Sequence, residues 1–257
     1  MESRKPIGVF DSGVGGLSIL RALRRELPHE DFVYFSDSGN APYGQRADSF
    51  VVDRSRAIAR RLLDEHRVKS LVVACNTATA AAVHLLRVQF EPLPFIGIEP
   101  ALKPAAALSR TGRIAVFATR STLSSVKFRA LHRCMDQHAK FVLQPCDGLA
   151  AAIEAHDQDG VRALCRRYVR SAGAFGHSPG QIDTLVLGCT HYAFACRELE
   201  EAVGPRVRII ETGAPVARQT RRMLEARRAL NDAGTAEVKL VTSGSGRALQ
   251  DAAQRWL

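Results

Sequence analysis

The stretch Ser70-Leu-Val-Val-Ala-Cys75-Asn-Thr-Ala-Thr79 is a short apolar run that stops at a cysteine and continues with small polar residues. A second stretch, Thr184-Leu-Val-Leu-Gly-Cys189-Thr-His-Tyr192, has the same pattern. Short runs rich in Val and Leu are typical of parallel strands that are buried on both faces. Because helical composition follows each run, we expect both cysteines at the carboxyl end of a strand and just before a helix, where ligands bind and thiol pKa values fall.

Two further pairs of segments repeat in the same order along the chain. Ile7-Gly-Val-Phe10-Asp11-Ser12 matches Ile114-Ala-Val-Phe117-Ala118-Thr119, and Ile96-Gly-Ile-Glu99 more weakly matches Ile209-Ile-Glu211. Repeats in one order at similar offsets indicate two related halves. The predicted fold class is therefore α/β, with two pseudo-symmetric open-sheet domains and an active site in the cleft between them.

The chain is long enough for two small domains. We expect the last strand, 237–242, to return to the first half, which makes the first domain discontinuous. The predicted domains are residues 1–98 plus 211–257 and residues 99–210. The composition also predicts one long helix over 121–137 and a helix over 193–203, with no structure assigned after the Ser243-Gly-Ser-Gly246 segment.

Several bulk features of the sequence favour a cytoplasmic protein. The chain starts with polar and charged residues that lead directly into a strand, unlike a signal peptide, and no apolar run is long enough to span a membrane. The six cysteines lack paired spacing, which favours free thiols in a reducing compartment. The cysteines also form no ligand-spaced cluster, so we expect no metal.

The net charge of +10 raises the question of nucleic acid binding. Most of the arginines fall on the polar faces of amphipathic helices, and no aromatic residues are interleaved with them. A solvated surface is therefore the favoured interpretation, and nucleic acid binding is the minor one.

The first strand leads into a glycine-rich turn, Asp11-Ser12-Gly13-Val14-Gly15-Gly16. A strand, a glycine loop and a helix superficially resemble a dinucleotide site, but the third glycine of that motif is replaced by Ser18. The carboxylate of Asp11 would also repel a pyrophosphate. The simplest structural interpretation makes Ser12 the N-cap of the following helix.

A second loop, Ser36 to Gly44, follows the next strand and is dense in turn residues. Such a loop is most often only a connection. Its place at the same edge as Asp11 and Cys75 makes it a candidate wall of the cleft.

Two equivalent thiols on opposite sides of one ligand suit the inversion of a stereocentre, since one removes a proton and the other delivers one. A nucleophilic cysteine ordinarily acts singly with a histidine in reach, and only Cys189 has one nearby in sequence, His191. A redox pair would ordinarily use adjacent spacing. Most cysteines are merely small buried side chains, but the repeated polar endings argue against that here.

Five motifs together resemble the glutamate racemases, which belong to the aspartate/glutamate racemase superfamily. They are Asp11-Ser-Gly-Val-Gly-Gly16, Ala41-Pro-Tyr-Gly44, Ala74-Cys-Asn-Thr-Ala78, Gly188-Cys-Thr-His-Tyr192 and Thr242-Ser-Gly244. The resemblance covers nearly the whole chain, with the motifs in the family's order.

The resemblance implies a role for individual residues. Cys75 would act on D-glutamate with help from Asp11, and Cys189 would act on L-glutamate with help from Glu154 and His191. Further positions match those that line the substrate site: Asp11, Ser12, Pro42, Tyr43, Gly44, Asn76, Thr77, Thr119, Thr122, Thr190 and His191. Hydroxyls, amides and helix N-termini would hold the substrate carboxylates.

The resemblance also implies an isomerase that supplies D-glutamate for bacterial peptidoglycan, forms a homodimer and needs no cofactor. No lysine lies in the motifs to form a Schiff base with pyridoxal phosphate, which agrees with that expectation. Two alternatives stay open: racemisation of another acidic amino acid such as aspartate, and a regulatory role through binding DNA gyrase. Cys-Thr-His at the second site favours glutamate, and two thiols disfavour a single-cysteine decarboxylase relative.

Overall fold

The computed structural model describes residues 3–257, which fold into two compact units. The first unit contains the chain through Ile98 together with Gly213–Leu257, and the second unit is Glu99–Thr212. The strands, in chain order, are β1 (Ile7–Asp11), β2 (Phe32–Ser36), β3 (Ser70–Val73), β4 (Phe95–Gly97), β5 (Arg113–Ala118), β6 (Lys140–Pro145), β7 (Thr184–Leu187), β8 (Arg208–Ile210) and β9 (Val238–Thr242).

Helices connect these strands. They are α1 (Leu17–Glu26), α2 (Asp48–His66), α3 (Asn76–Gln89), α4 (Leu102–Leu108), α5 (Arg120–Ser124), α6 (Val126–Met135), α7 (Leu149–Glu154), α8 (Gln158–Ala172), α9 (Cys196–Val203), α10 (Gly213–Ala226) and α11 (Gly246–Trp256). Within residues 3–257, none of the helices combines the length and the apolar character that crossing a bilayer takes.

Both sheets are parallel and share one strand order. The first unit has the order β4-β3-β1-β2-β9, and the second has β6-β5-β7-β8. Read from the other side, the second order becomes β8-β7-β5-β6, which matches β4-β3-β1-β2 strand for strand. The α/β class and the two related halves predicted from the sequence repeats are therefore confirmed.

The apolar runs form strands because helices cover both faces of each sheet. Every residue of β1, β2, β3 and β7 is buried. Successive residues of β5 point to opposite faces, so Ala115 and Phe117 join one apolar cluster while Ile114 and Val116 join another. Only the strand ends can then accommodate polar groups at low cost.

Two helix predictions were wrong, and one helix was not predicted. The helix predicted over 121–137 is broken at Ser125, whose backbone is extended and whose hydroxyl accepts the amide of Phe128 at 3.1 Å. A serine that caps a new helix competes with continuation of the old one. After Cys189 the chain first forms a 3-10 helix, Thr190–Ala195, before α9 begins. The terminal helix α11, capped by Ser245, was missed.

A buried ion pair between Lys69 and Glu30 lies at the amino-terminal edge of the first sheet. Lys69 Nζ lies 2.5 Å from Glu30 Oε2, and both side chains are almost fully buried. Lys69 also donates to the carbonyls of Ser3 at 2.6 Å and Ala229 at 2.8 Å, while Glu30 Oε1 accepts the amide of Asn231 at 2.9 Å. This pair therefore joins the start of the chain, two strands and the segment after α10.

We expect Glu30→Gln to lower the free energy of unfolding of the first unit by about 3 kcal/mol, since it leaves the Lys69 cation buried without a counter-charge. The single tryptophan, Trp256, lies in this unit, so its fluorescence during urea unfolding measures the change. The matched control is Glu30→Gln with Lys69→Met, which should lose less. An equal loss in both variants would show that the charge is not the cause.

Candidate functional site

In the first unit, the candidate site is formed where β1 and β3 end side by side. Asp11 is the last residue of β1, and Cys75 follows β3. The thiol of Cys75 donates to Ser12 Oγ at 3.6 Å and accepts the amide of Ala78 at 3.5 Å. The side chain of Cys75 thus caps α3, with its sulfur among the free amides of a helix N-terminus.

The glycine turn after β1 is organised by Asp11. Its Oδ2 accepts the amide of Gly16 at 2.7 Å, and the hydroxyl of Tyr34 donates to the carbonyl of Gly13 at 2.7 Å. A Cβ atom on Gly16 would lie 2.6 Å from Asp11 Cβ, so only glycine fits there. The interpretation of Ser12 as a helix N-cap is wrong, because α1 is capped at Gly16 without a side-chain bond.

Asn76 and Thr77 open α3 beside Cys75, and both are buried. The side-chain amide of Asn76 has no hydrogen-bond partner for either its nitrogen or its oxygen among residues 3–257. A buried amide without partners costs roughly 1–3 kcal/mol. Such a cost is expected where a polar ligand supplies the missing partners.

The loop after β2 contains Pro42, Tyr43 and Gly44, with Tyr43 buried. The hydroxyl of Tyr43 donates to Asp37 Oδ2 at 2.5 Å. Arg54 on α2 grips the same carboxylate with two bonds, at 3.0 and 2.7 Å. Asp37 thus joins the loop to α2 through Tyr43 and Arg54. The sequence analysis did not predict Asp37 as a site residue. Its position could have indicated it, because Asp37 directly follows β2 as Ser12 directly follows β1.

The charges of this loop are fixed by their partners. Burial acts to raise the pKa of Asp37, but the bonds from Arg54, Tyr43 and neighbouring groups outweigh it and hold the pKa below its usual value. Burial and the Asp37 carboxylate raise the pKa of Tyr43 well above that of a free phenol. The loop therefore presents a neutral tyrosine on an ionised aspartate.

In the second unit, the equivalent strand end carries a connected acid–base chain. Cys189 Sγ lies 3.8 Å from His191 Nδ1, and His191 Nε2 lies 2.6 Å from Glu154 Oε1. Cys189 and His191 are buried, while the side chain of Glu154 at the end of α7 is 22% exposed. The structure thus brings Glu154, from the end of α7, to the predicted residues Cys189 and His191 that follow β7.

The protonation of His191 is set by opposing effects. Burial acts to lower its pKa, while the hydrogen bonds to Cys189 and Glu154 and their charges raise it well above its usual value. The Glu154 carboxylate therefore favours the protonated form of the imidazole.

The remaining predicted residues of the second unit are threonines that follow the carboxyl ends of β5 and β7. Thr119 caps α5, since its hydroxyl oxygen accepts the amide of Thr122 at 3.1 Å. The two threonine hydroxyls also bond each other at 2.9 Å, and Thr190 is buried next to Cys189. Cys189 itself lies before a 3-10 helix, so the expected α-helix N-terminus is absent at this thiol.

Two buried residues near Cys189, Cys146 and Tyr192, were not predicted as site residues from the sequence. Cys146 lies close to Cys189, and burial together with the charge of Cys189 raises the pKa of the Cys146 thiol well above its usual value. The hydroxyl of Tyr192 donates to the carbonyl of Cys146 at 3.2 Å. Cys146 thus stays a neutral thiol in the wall of the site, and no three His, Cys, Asp or Glu side chains in the described chain form a metal cluster.

The chain belongs to the Asp/Glu/Hydantoin racemase family, whose model matches residues 7–237. It is 47% identical to the glutamate racemase of Methylococcus capsulatus, over 86% of this chain and 80% of that protein. It is 46% identical to the glutamate racemase of Stutzerimonas stutzeri, over 93% of this chain and 89% of that protein.

Solved structures give the same result. Glutamate racemase isoform RacE1 from Bacillus anthracis has a TM-score of 0.86 at 30% identity, covering 99% of this chain and 94% of that chain. Escherichia coli glutamate racemase, solved with L-glutamate and the activator UDP-MurNAc-ala, has a TM-score of 0.84 at 30% identity, covering 98% and 95%.

Replacing Arg54 by Met should destabilise the first unit by about 1–3 kcal/mol, because the buried Asp37 carboxylate loses two charge-assisted bonds. Urea unfolding followed by Trp256 fluorescence measures the loss. Arg61→Met on the same helix is the control, since Arg61 pairs with Glu65 at the surface and should change stability by less than about 0.5 kcal/mol. Similar losses in both variants would contradict the assigned role of Asp37.

Glu154→Gln should lower the pKa of His191, because the imidazolium loses its carboxylate partner. Nitrogen NMR of the ring during a pH titration measures this pKa directly. Glu198→Gln, at the start of α9 in the same unit, removes the same charge and serves as the control. An unchanged pKa in Glu154→Gln would show that the contact does not control the imidazole.

Proposed function

We propose that the protein interconverts L-glutamate and D-glutamate, with Cys75 and Cys189 as the two acid–base groups at the α-carbon. The observation that carries the proposal is the placing of one thiol at each of two equivalent strand ends, after β3 and after β7, in a chain of this racemase family. One thiolate removes the α-proton, and the other group, as a thiol, delivers a proton from the opposite face.

The two thiols are activated by different means. Cys75 is the N-cap of α3, where the amide of Ala78 and the helix dipole favour the thiolate. Cys189 lies before a 3-10 helix, whose short run of aligned peptides offers less of this effect. At this sulfur the His191–Glu154 pair takes the place of the helix, since an imidazole held by a carboxylate can exchange a proton with the thiol.

The α-proton of an amino acid is a very weak acid, so the carbanion needs stabilisation that the thiols do not supply. Buried donors at the strand ends provide it in this proposal, since fixed donors in a dry site act strongly on developing charge. The amide of Asn76 and the buried hydroxyls of Thr77, Thr122 and Thr190 are the groups of this kind. The strand-end motifs contain no lysine for a Schiff base, so the proposed reaction uses no pyridoxal phosphate.

The proposal extends to the cellular role. D-glutamate made in the cytoplasm would enter peptidoglycan, and the protein would act as a homodimer. Sedimentation measures the oligomeric state. Binding to DNA gyrase stays a prediction, which salt-dependent co-purification checks.

The reaction is tested by incubating the purified protein, without added cofactor, with L-glutamate in D2O. We expect loss of optical activity together with deuterium at the α-carbon, measured by circular dichroism and proton NMR. Aspartate is run in parallel, and faster exchange of aspartate would favour the alternative substrate.

Cys75→Ala and Cys189→Ala should each reduce racemisation by at least about 100-fold, because each removes an acid–base group. Cys134→Ala is the control, since Cys134 is an exposed free thiol on α6. Racemisation at the control rate in either active-site variant would refute the two-thiol mechanism.

A further inference from the structure

A basic pocket lies at the amino-terminal edge of the second sheet, away from the strand ends that carry Cys189. The cavity has a volume of about 760 Å³ and is lined by Arg110, Thr111, His177, Pro179 and Arg206. Its walls are the segments that precede β5, β7 and β8, which are neighbours in the sheet. Since β7 has four residues, it separates the pocket from Cys189 by roughly 13 Å.

From this pocket we infer a second binding site, which takes a small molecule bearing a phosphate group. The site lies on a different edge from the proposed racemase site and does not rest on the racemase assignment. A cavity of this volume lies within the range of roughly 300–1,000 Å³ that small-molecule sites occupy.

The charges that face the pocket are not neutralised by ion pairs. Arg110 and Arg206 are exposed, and neither guanidinium forms a salt bridge with any carboxylate in the described part of the chain. The same edge carries further cations at the first residues of three strands: Arg113, Lys140 and Arg208. Unpaired guanidinium groups suit phosphate because they donate two parallel bonds to it.

One acid lies behind the pocket, and its charge is already satisfied. Asp183 is buried, and its carboxylate accepts the amides of Arg110 at 2.6 Å and Thr111 at 2.8 Å and the hydroxyl of Ser109 at 2.6 Å. Burial acts to raise the pKa of Asp183, but these bonds outweigh it and keep the carboxyl ionised. The Asp183 carboxylate is therefore satisfied by these donors, and it forms no ion pair with Arg110 or Arg206.

The same bonds hold the walls of the pocket in place. The Asp183 carboxylate accepts backbone amides of the loop before β5. Because it bonds the backbone of Arg110 and not the guanidinium, the Arg110 side chain remains available to a ligand. The Thr111 hydroxyl oxygen accepts the amide of Arg113 at 3.2 Å, which leaves its proton for a ligand. On the opposite wall, His177 Nε2 donates to the carbonyl of Arg206 at 2.6 Å. Walls that are fixed before binding reduce the entropy lost on binding.

The equivalent edge of the first sheet provides an internal comparison. None of its five strands starts with a basic residue. Of the two cations that precede β3, Lys69 is buried against Glu30 and Arg67 is exposed. Basic first residues of strands are therefore a feature of the second sheet and not of the first.

The test is calorimetric titration of the whole protein with inorganic phosphate and with pyrophosphate. The binding variant carries Arg110→Ala and Arg206→Ala, and both side chains are exposed, so the fold should be retained. The control variant carries Arg129→Ala and Arg166→Ala, which remove the same charge from exposed positions on α6 and α8. Turnover of glutamate, measured on the same samples, should be equal in both variants.

We expect saturable binding of at least one of the two anions, weakened about tenfold or more in the binding variant and unchanged in the control. Absence of saturable binding, or equal weakening in both variants, would overturn the proposal. A short DNA duplex is titrated as well. Binding of the duplex through Arg110 and Arg206 without binding of either anion would assign the surface to nucleic acid and also overturn the small-molecule site.

Discussion

Parallel pairing of every strand is the constraint on which both units depend. Parallel neighbours need a crossover connection, usually a helix, so helices cover both faces of each sheet and the interiors of central strands such as β3 and β7 are entirely apolar. Polar side chains are then confined to the strand ends, and all carboxyl ends lie on one edge. Asp11 and Cys75 meet in this way in the first unit, as Thr119 and Cys189 reach the same edge in the second.

Within this shared frame, the two thiols have different electrostatic surroundings. The α-helix that starts directly after Cys75 provides aligned amides at the sulfur. The 3-10 helix after Cys189 provides few, and an imidazole with its own carboxylate takes their place. Related halves can thus carry the same side chain at the same position and still surround it with different polar groups.

The sequence was sufficient wherever structure follows from local patterns. The strands were predictable because their apolar runs are short and bounded. The repeats predicted two related halves, and the structure adds that their sheets share one strand order. Local patterns failed at Ser125, where α5 ends and the serine side chain caps α6. They also failed at α11, because the Gly and Ser residues at its start are typical of a turn. In both cases a serine hydroxyl accepts a backbone amide in the first turn of the new helix.

The candidate site was predictable only in part. Cys75 and Cys189 stand out because each ends an apolar run. Glu154 and His191 lie 37 positions apart, and no periodicity connects them, so they came from the family resemblance. Asp37 and Arg54 were missed. Asp37 lies in a loop after a strand, and Arg54 is one of several arginines on α2, so the sequence does not distinguish it from the others.

The amino-terminal edges show how far two halves of one topology diverge. Lys69 immediately precedes β3, and Asp183 immediately precedes the equivalent strand β7, so one repeat position carries a buried cation in one unit and a buried anion in the other. Each charge must be paired or hydrogen-bonded inside the protein. Lys69 therefore donates to carbonyls and pairs with Glu30, while Asp183 accepts hydrogen bonds from amides and hydroxyls. Because amides satisfy Asp183, no guanidinium is needed to neutralise it, and the arginines around it remain free to bind an external anion.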